Sequence, residues 1–295
     1  MNNRFKKIIL LLLAVIFIFL YAHRIVLFLE KKAAWHSLKE ECIEKITNFK
    51  GETHIVIIDL TRDWRFAYQD KDKVPAASII KIPIMVSCFL ADKEGKISID
   101  EDIVLKQSDK TGGSGILEED PTGSRYTVKE LVELMIAISD NTACNMLIKL
   151  LGFDYLNSSF KYFMLDDTTL SRLMMDMEKR DKGIENYTSA SDIAKVLEGL
   201  YRKEVISPEI SEYCIEILKE QHSLNRIPKL LPRGTVVANK TGLEKHVCHD
   251  AGIVYTDNGD YIICVLTTHP YKTSAKSKKL ISELSLLVYN YLNEP

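Results

Sequence analysis

The chain has 295 residues, of which 46% are hydrophobic and 27% charged, a composition typical of a folded globular protein and not of a disordered one. The net charge is -2, and the residues after position 32 include 33 basic and 40 acidic side chains. This acidic body argues against nucleic-acid binding, which requires clustered lysine and arginine to neutralise phosphates. The six cysteines form no C-x-x-C pair, so they indicate neither a zinc ribbon nor a disulfide framework.

The first predicted element is a membrane segment. Residues 8–29 are almost entirely apolar, follow a cluster of basic residues and are long enough to span a bilayer. No convincing cleavage site follows them, so we expect an uncleaved anchor rather than a signal peptide. Residues 1–32 are therefore predicted to form a cytoplasmic stub and membrane anchor. The rest would lie outside the cytoplasm of a single-pass cell-membrane protein, or would be secreted if the segment is cleaved.

Strands are predicted at both ends of the remaining chain and helices in its middle. A helix over 33–50 is followed by a hairpin of strands at 54–60 and 65–69. Further helices are predicted at 78–91, 127–138, 142–151, 189–203, 208–221 and 274–292. Further strands are predicted at 235–239, 251–256 and 261–268.

This order of elements favours an α+β fold in which both chain ends build one sheet. We assign residues 33–295 to one domain. Its sheet lobe comprises 33–77 and 222–295, and its inserted helical lobe comprises 78–221. His246, Cys248 and His249 lie close together, but no second ligand cluster accompanies them, so we expect no metal site. His249 and Asp250 are expected to open the strand that begins at Ala251.

Three short motifs occur in a fixed order, and each has a weaker copy elsewhere. They are Ser78-Ile79-Ile80-Lys81, Ser139-Asp140-Asn141 and Lys240-Thr241-Gly242. The copies are S-x-x-K at 158–161, K-T-G at 110–112 and S-x-N at 223–225. Any one motif is therefore weak evidence, and the predicted element around each copy decides between them.

Ser78 is predicted to start an apolar helix, with Lys81 one turn further on the same face. The positive potential of a helix N-terminus would favour a serine alkoxide and lower the pKa of the Lys81 ammonium. A neutral Lys81 amine could then accept the serine proton. The second S-x-x-K lies among aromatic residues without a helix-start signal, so Ser78 is the candidate nucleophile.

The other two motifs are predicted to present groups to a substrate. Ser139 and Asn141 lie in a tight turn between two helices, so Ser139 is a candidate proton shuttle and Asn141 a candidate donor to a substrate carbonyl. Lys240 follows a predicted edge strand, where it and Thr241 suit a substrate carboxylate. Gly242 would let a substrate backbone approach. The backbone N–H groups of Ser78 and Leu243 would form an oxyanion hole.

The order and spacing of these motifs resemble those of class A β-lactamases and their penicillin-binding relatives, over roughly residues 40–293. The resemblance implies a β-lactamase-like fold, an antiparallel sheet flanked by helices beside an all-helical lobe. It implies Ser78 as nucleophile, Lys81 and Ser139 as proton relays, Asn141 near the substrate amide, and Lys240 with Thr241 on its carboxylate. No cofactor is implied, and we expect a monomer.

The sequence departs from this family at the residue that activates the deacylating water. Thr169-Leu170-Ser171-Arg172 resembles the entry to the loop that carries a glutamate, yet Met174 stands where that glutamate is expected. A thioether cannot act as a base. Three alternatives follow: a hydrolase acting on β-lactams or cell-wall peptides, a D-Ala-D-Ala carboxypeptidase or esterase, and an anchored penicillin-binding sensor with slow deacylation.

Overall fold

The computed structural model describes residues 3–293, without the side chains of residues 3–6, 8 and 9. The first two residues of the predicted stub and the side chains of Arg4 and Lys6 therefore lie outside the described residues. The chain divides into two compact units, Met1–Lys45 and Ile46–Pro295.

The N-terminal unit is helical. Helix α1 spans Asn3–Thr47, so the apolar segment and the helix predicted over 33–50 form one element. Ala33 and Ala34, which join the two predicted segments, are strong helix formers and give the helix no reason to stop there. From Leu10 to Leu29 every side chain is exposed, and the helix is long and apolar enough to cross a membrane. Such a helix could be either a membrane anchor or a signal sequence.

The second unit is built on a five-stranded antiparallel sheet with strands from both ends of the chain. Its strands are β1 (Glu52–Asp59), β2 (Trp64–Tyr68), β7 (Val236–Glu244), β8 (Val247–Tyr255) and β9 (Tyr261–Thr268). The spatial order is β2-β1-β9-β8-β7, which makes β7 one edge. Consecutive residues of β1, β8 and β9 are buried, so both faces of the sheet are covered.

Two pairs of short strands lie outside this sheet. They are β3 (Val74–Pro75) with β6 (Tyr187–Thr188), and β4 (Asp102–Val104) with β5 (Arg125–Thr127). The first pair joins the segment leading to Ser78 to the end of the loop that contains Met174.

The helices form the lobe between β3 and β7 and the closing segment of the chain. After α1 they are α2 (Lys81–Lys93), α3 (Val128–Ala137), α4 (Asn141–Leu151), α5 (Phe153–Tyr162), α6 (Met177–Asp181), α7 (Ala190–Tyr201), α8 (Pro208–Lys219) and α9 (Ala275–Asn293). Apolar residues from α2, α3, α4, α5, α7 and α8 and from one face of the sheet form one core. Helices α7 and α9 both contact the sheet, α7 through β9 and α9 through β8.

The predicted antiparallel sheet with an inserted helical lobe is confirmed, but three details differ. Ser78 lies in a 3₁₀ turn, Ala77–Ile80, and the α-helix begins only at Lys81. The K-T-G motif lies within β7 instead of after it. His249 and Asp250 lie inside β8 instead of opening it. In the two strands, pairing between β7 and β8 extends each element beyond the residues that propensity favours.

Candidate active site

A cleft of about 520 Å³ lies between the β7 edge of the sheet and the helical lobe. Residues from all three motifs line it, namely Ser78, Ser139, Asn141 and Thr241, together with Leu243 directly after the third motif. Polar residues of the 221–226 segment form a second part of the wall. Methionines of the 174–177 segment form a third part. The sheet edge and the helical lobe thus bring the remote motifs to one cavity.

Ser78 is half-buried, and the backbone around it is held tightly. Ala77 adopts a positive φ of 44°, which is unfavourable for a residue with a Cβ atom. The preceding Pro75 carbonyl accepts a hydrogen bond from His249 Nε2 at 2.8 Å, while His249 Nδ1 accepts one from Thr267 N–H. Burial lowers the pKa of His249 to about 4, so its ring is neutral and keeps both bonds near neutral pH.

The Lys81 ammonium is fully buried and directed at the Ser139 turn. Its Nζ donates to Ser139 O at 2.7 Å, to Ser139 Oγ at 3.2 Å and to Asn141 Oδ1 at 2.8 Å. Among the described residues, no hydrogen bond joins Ser78 Oγ to Lys81 or to Lys240. Lys81 therefore connects the turn that carries Ser78 to the second motif.

The turn at Ser139 is strained and firmly anchored. Ser139 has a φ of 59°, in the left-handed region. Next to it, Asp140 caps α4 through Ala143 N–H and accepts the N–H groups of Ile116 and Leu117 at 2.7 and 3.0 Å. These bonds fix a serine hydroxyl in a conformation that the turn would not adopt by itself.

Lys240 approaches the same serine from the sheet. Its Nζ lies 3.0 Å from Ser139 Oγ and 2.9 Å from Thr241 O. Gly242 pairs with His249 in the β7–β8 ladder, and a Cβ atom at Gly242 would lie only 3.1 Å from Ile79 Cγ1. The glycine therefore lets β7 pack closely against the Ser78 turn.

Burial lowers the pKa of Lys81 and of Lys240. Desolvation lowers the pKa of Lys81 to about 8, and Asp140 and Cys144 limit the shift. For Lys240 desolvation is again the main cause, and the positive charges of Lys81 and Arg226 lower its pKa further. Both amines share the Ser139 hydroxyl, so a neutral amine can exchange a proton with it.

Met174 occupies the wall where a base would be needed. It is buried at 4% exposure, and its backbone is fixed by Asn145, whose Oδ1 accepts Met174 N–H at 2.8 Å and whose Nδ2 donates to Met174 O at 3.1 Å. Met175 and Met177 continue this apolar wall. The residue that stands where the sequence analysis expects a glutamate is thus a buried thioether in the cleft wall.

Among the described residues that line the cleft, Glu244 is the one carboxylate, and it is engaged in ion pairs. Its Oε1 accepts from the buried Arg172 at 2.9 Å, and its Oε2 lies 3.5 Å from Arg180. Arg172 also contacts Glu185 at 2.6 Å. This network ties the 172–185 loop to the end of β7.

Arg226 is a cleft residue that sequence reasoning missed. It is only 2% exposed and lines the cleft, its Nε donates to Cys248 Sγ at 3.3 Å, and one of its terminal nitrogens is buried without a partner among the described residues. A buried guanidinium with a free N–H is a strong anion donor. No pattern around residue 226 marks it, because its burial depends on packing against the distant strand β8.

The weaker motif copies lie in different places. Ser158 and Lys161 are exposed on α5, a helix that the sequence analysis did not predict. The K-T-G copy borders the Ser139 turn, where Gly112 O accepts from Asn141 Nδ2 at 2.9 Å. The S-x-N copy contributes Ser223 and Asn225 to the cleft wall.

The chain is similar to several known proteins. Residues 37–292 match the beta-lactamase enzyme family. β-Lactamase VEB-1 of Pseudomonas aeruginosa is 25% identical, covering 97% of this chain and 97% of that protein. A β-lactamase of Bacteroides uniformis is 24% identical over 85% of this chain and 90% of its own length.

Solved structures extend this similarity to the fold. PBP-A superposes with a TM-score of 0.81 at 28% identity, covering 88% of this chain and 97% of PBP-A. A β-lactamase of Sphaerobacter thermophilus gives 0.80 at 28% identity, covering 87% and 96%. A mutant of PBP-A is described as an acyl-enzyme complex with penicillin G.

Proposed function

Because this chain belongs to the beta-lactamase enzyme family and is a β-lactamase-like serine hydrolase, we propose that Ser78 is acylated by β-lactams and that the acyl-enzyme is hydrolysed slowly. The observation that supports this proposal is that the cleft has groups suited to acylation but no free carboxylate among its described lining residues to assist deacylation. Two buried amines and a fixed hydroxyl are available for acylation, whereas the wall carries Met174 and an ion-paired Glu244.

Acylation begins with attack of Ser78 Oγ on the lactam carbonyl. The neutral Lys81 amine accepts the serine proton, directly or through the Ser139 hydroxyl that it contacts. The backbone N–H groups of Ser78 and Leu243 stabilise the oxyanion, an interaction worth on the order of 3–4 kcal/mol per donor. The product is an ester on Ser78 and an opened lactam ring.

Departure of the lactam nitrogen requires a proton. Ser139 Oγ donates it and recovers a proton from Lys81 or Lys240, both of which lie within 3.2 Å. The shared hydroxyl supports this relay, because one oxygen is in contact with both amines. Asn141 holds Lys81 through Oδ1, so its amide group also keeps the relay aligned.

The substrate carboxylate is bound by the far end of the cleft. Thr241 supplies a hydroxyl and the buried Arg226 supplies a cation with a free N–H group, and both line the cleft. Lys240 is fully buried and supports this end of the cleft by donating to Thr241 O. In a β-lactam the carboxylate lies close to the nitrogen of the reacting amide. The C-terminal residue of a cell-wall peptide places its carboxylate in the same relation to the peptide nitrogen. Both substrate types therefore suit this cleft.

In the proposed reaction, hydrolysis of the Ser78 ester is the slow step. A deacylating water must lose a proton, and general-base assistance typically contributes 10²–10⁴-fold. Met174 cannot supply that assistance, and Glu244 is neutralised by Arg172 and Arg180. The PBP-A mutant described as an acyl-enzyme with penicillin G supports the same first step for this chain.

We further propose that α1 anchors the protein and that the hydrolase unit lies outside the cytoplasm. The exposed apolar surface from Leu10 to Leu29 supports an anchor, because water would solvate it poorly. The position of Lys7 before the apolar run supports a cytoplasmic N-terminus. Cell-wall peptides and β-lactams would then be within reach of the cleft.

A chromogenic cephalosporin tests the proposed function. We expect a burst of released chromophore equal to about one equivalent of protein, followed by a much slower steady rate. Ser78→Ala should remove the burst, whereas Ser158→Ala, in the exposed motif copy, should leave it intact. Rapid steady turnover would overturn slow deacylation, and release of D-alanine from a pentapeptide would instead indicate a carboxypeptidase.

A further inference from the structure

A second cavity adjoins the catalytic cleft at the turn between β7 and β8. Its volume is about 570 Å³, and Leu243, Glu244 and Lys245 line both cavities. The remaining wall consists of residues from that turn and from the segment between β9 and α9: His246, His269, Tyr271, Lys272, Thr273 and Ser274. We call this cavity the basic pocket.

His269 is the buried polar group of the basic pocket. It is 6% exposed, and neither ring nitrogen has a hydrogen bond of good geometry among the described residues, although the Tyr271 backbone lies close to the ring. Its ring stacks on Tyr271 with 5.6 Å between centroids and lies 6.2 Å from that of His246. A buried polar group without a good hydrogen-bond partner is unfavourable, and a ligand bearing oxygen acceptors would relieve that cost.

The charges around His269 favour an anion over a cation. Lys245 and Lys272 line the pocket and are exposed, and the Lys276 ammonium lies 4.5 Å from the centre of the Tyr271 ring. Glu244, the one carboxylate among the described lining residues, is paired with arginines outside the pocket. A metal ion would be repelled by these lysines, whereas an oxyanion would be attracted.

Helix α9 adds donors at the same place. It begins at Ala275, has no acidic residue in its first turn, and is preceded directly by Thr273 and Ser274, which line the pocket. The first N–H groups of a helix have no intrahelical acceptor, and the helix dipole places positive potential there. Hydroxyls, lysines and a helix start are the usual donors to phosphate oxygens.

We propose that the basic pocket binds a phosphate group, either as free phosphate or as a phosphodiester of an anionic polymer. A tetrahedral phosphate can accept hydrogen bonds from several directions at once. His269 would donate from the floor, the start of α9 from one side, and Lys245 and Lys272 from the rim. The pocket shares a wall with the catalytic cleft, so the bound group would lie beside the substrate.

Calorimetric titration of the full-length protein in detergent, at constant ionic strength, tests this proposal. The probes are inorganic phosphate and glycerophosphoglycerol, a soluble phosphodiester. We expect saturable binding of at least one probe, weakened tenfold or more by His269→Phe, which keeps an aromatic ring at this position but removes both nitrogens. His36→Phe, at an exposed histidine of α1, should bind like the wild type.

Comparing the two probes distinguishes free phosphate from a phosphodiester polymer as the ligand of the pocket. Binding of phosphate alone indicates the free anion, and binding of the diester indicates a polymer. Saturation by neither probe would overturn the proposal, as would equal affinity of the wild type and a folded His269→Phe variant. If that variant does not fold, the exposed pair Lys245→Ala and Lys272→Ala replaces it, and unchanged affinity there would be equally decisive.

Discussion

At the residue scale, the central feature is the neutral form of Lys81. Its ammonium is buried among Ser139 and Asn141, and burial lowers its pKa to about 8. The amine accepts a proton only when neutral, so acylation should accelerate as pH rises and level off above that pKa. The Ser139 turn and the lysine are therefore expected to act as one unit.

The pH dependence of acylation follows from this pKa. Between pH 6 and pH 8 the neutral fraction of a group with a pKa of about 8 rises about 50-fold, and the acylation rate should rise with it. Stopped-flow mixing with a chromogenic cephalosporin measures the burst rate at each pH. A rate that is flat over this range would exclude Lys81 as the proton acceptor.

A second residue-scale prediction concerns Met174. Replacing it with glutamate places a carboxylate in the cleft wall, which should shorten the lifetime of the acyl-enzyme by about 100-fold or more. Met174→Gln has nearly the same size without a base and is the matched control. The decay of the penicillin adduct is followed by mass spectrometry. Equal lifetimes of the two variants, both still acylated, would show that the missing carboxylate does not limit hydrolysis.

At the element scale, the 172–185 loop depends on a buried ion network. Arg172 is 1% exposed and contacts both Glu185 and Glu244, so its removal would leave two carboxylates without their main partner. Breaking a buried ion pair from one side commonly costs about 3–5 kcal/mol. The network thus holds the Met174 wall against β7.

Arg172→Met should therefore lower the free energy of unfolding by about 3–5 kcal/mol. Arg202→Met is the control, because Arg202 pairs with Glu198 and Asp63 on the surface, where such pairs contribute about 1 kcal/mol or less. Urea unfolding followed by circular dichroism compares the two. A similar decrease in the free energy of unfolding in both variants would mean that the network does not hold the loop in place.

The elements differ in how well local sequence predicts them. The helix predicted over 127–138 is present as α3, and Thr127 and Glu130 form a capping box at its start, a signal that lies within one turn of the sequence. Helix α5 is missed because Gly152 ends α4 and also starts α5, whereas sequence reasoning reads a glycine there only as an end.

In the site, too, features encoded in a short stretch of sequence can be predicted, whereas features that depend on remote segments cannot. The three motifs can be located from sequence because each is a short pattern in a recognisable element. The left-handed Ser139, the buried Arg226 and the pairing of Glu244 with Arg172 cannot, since each depends on segments far apart in the chain. Long-range packing leaves no signal in a single local window.

At the scale of the whole molecule, the apolar N-terminal helix is long enough to cross a membrane, and the proposed anchor can be tested directly. If α1 is an uncleaved anchor, the full-length chain should remain with the membrane fraction after alkaline carbonate washing, and a chain lacking residues 1–32 should be soluble. Immunoblotting of the fractions measures this. A soluble wild-type protein whose N-terminus has been cut near residue 30 would identify a signal sequence instead.

The whole account depends on a covalent bond at Ser78 that forms readily and breaks slowly. Intact-mass spectrometry of the full-length protein during exposure to penicillin G tests this most directly. We predict one added mass equal to that of the drug, which persists long after the excess drug is removed and is absent in Ser78→Ala. No adduct on the wild type, or an adduct that also forms on Ser78→Ala, would contradict the account.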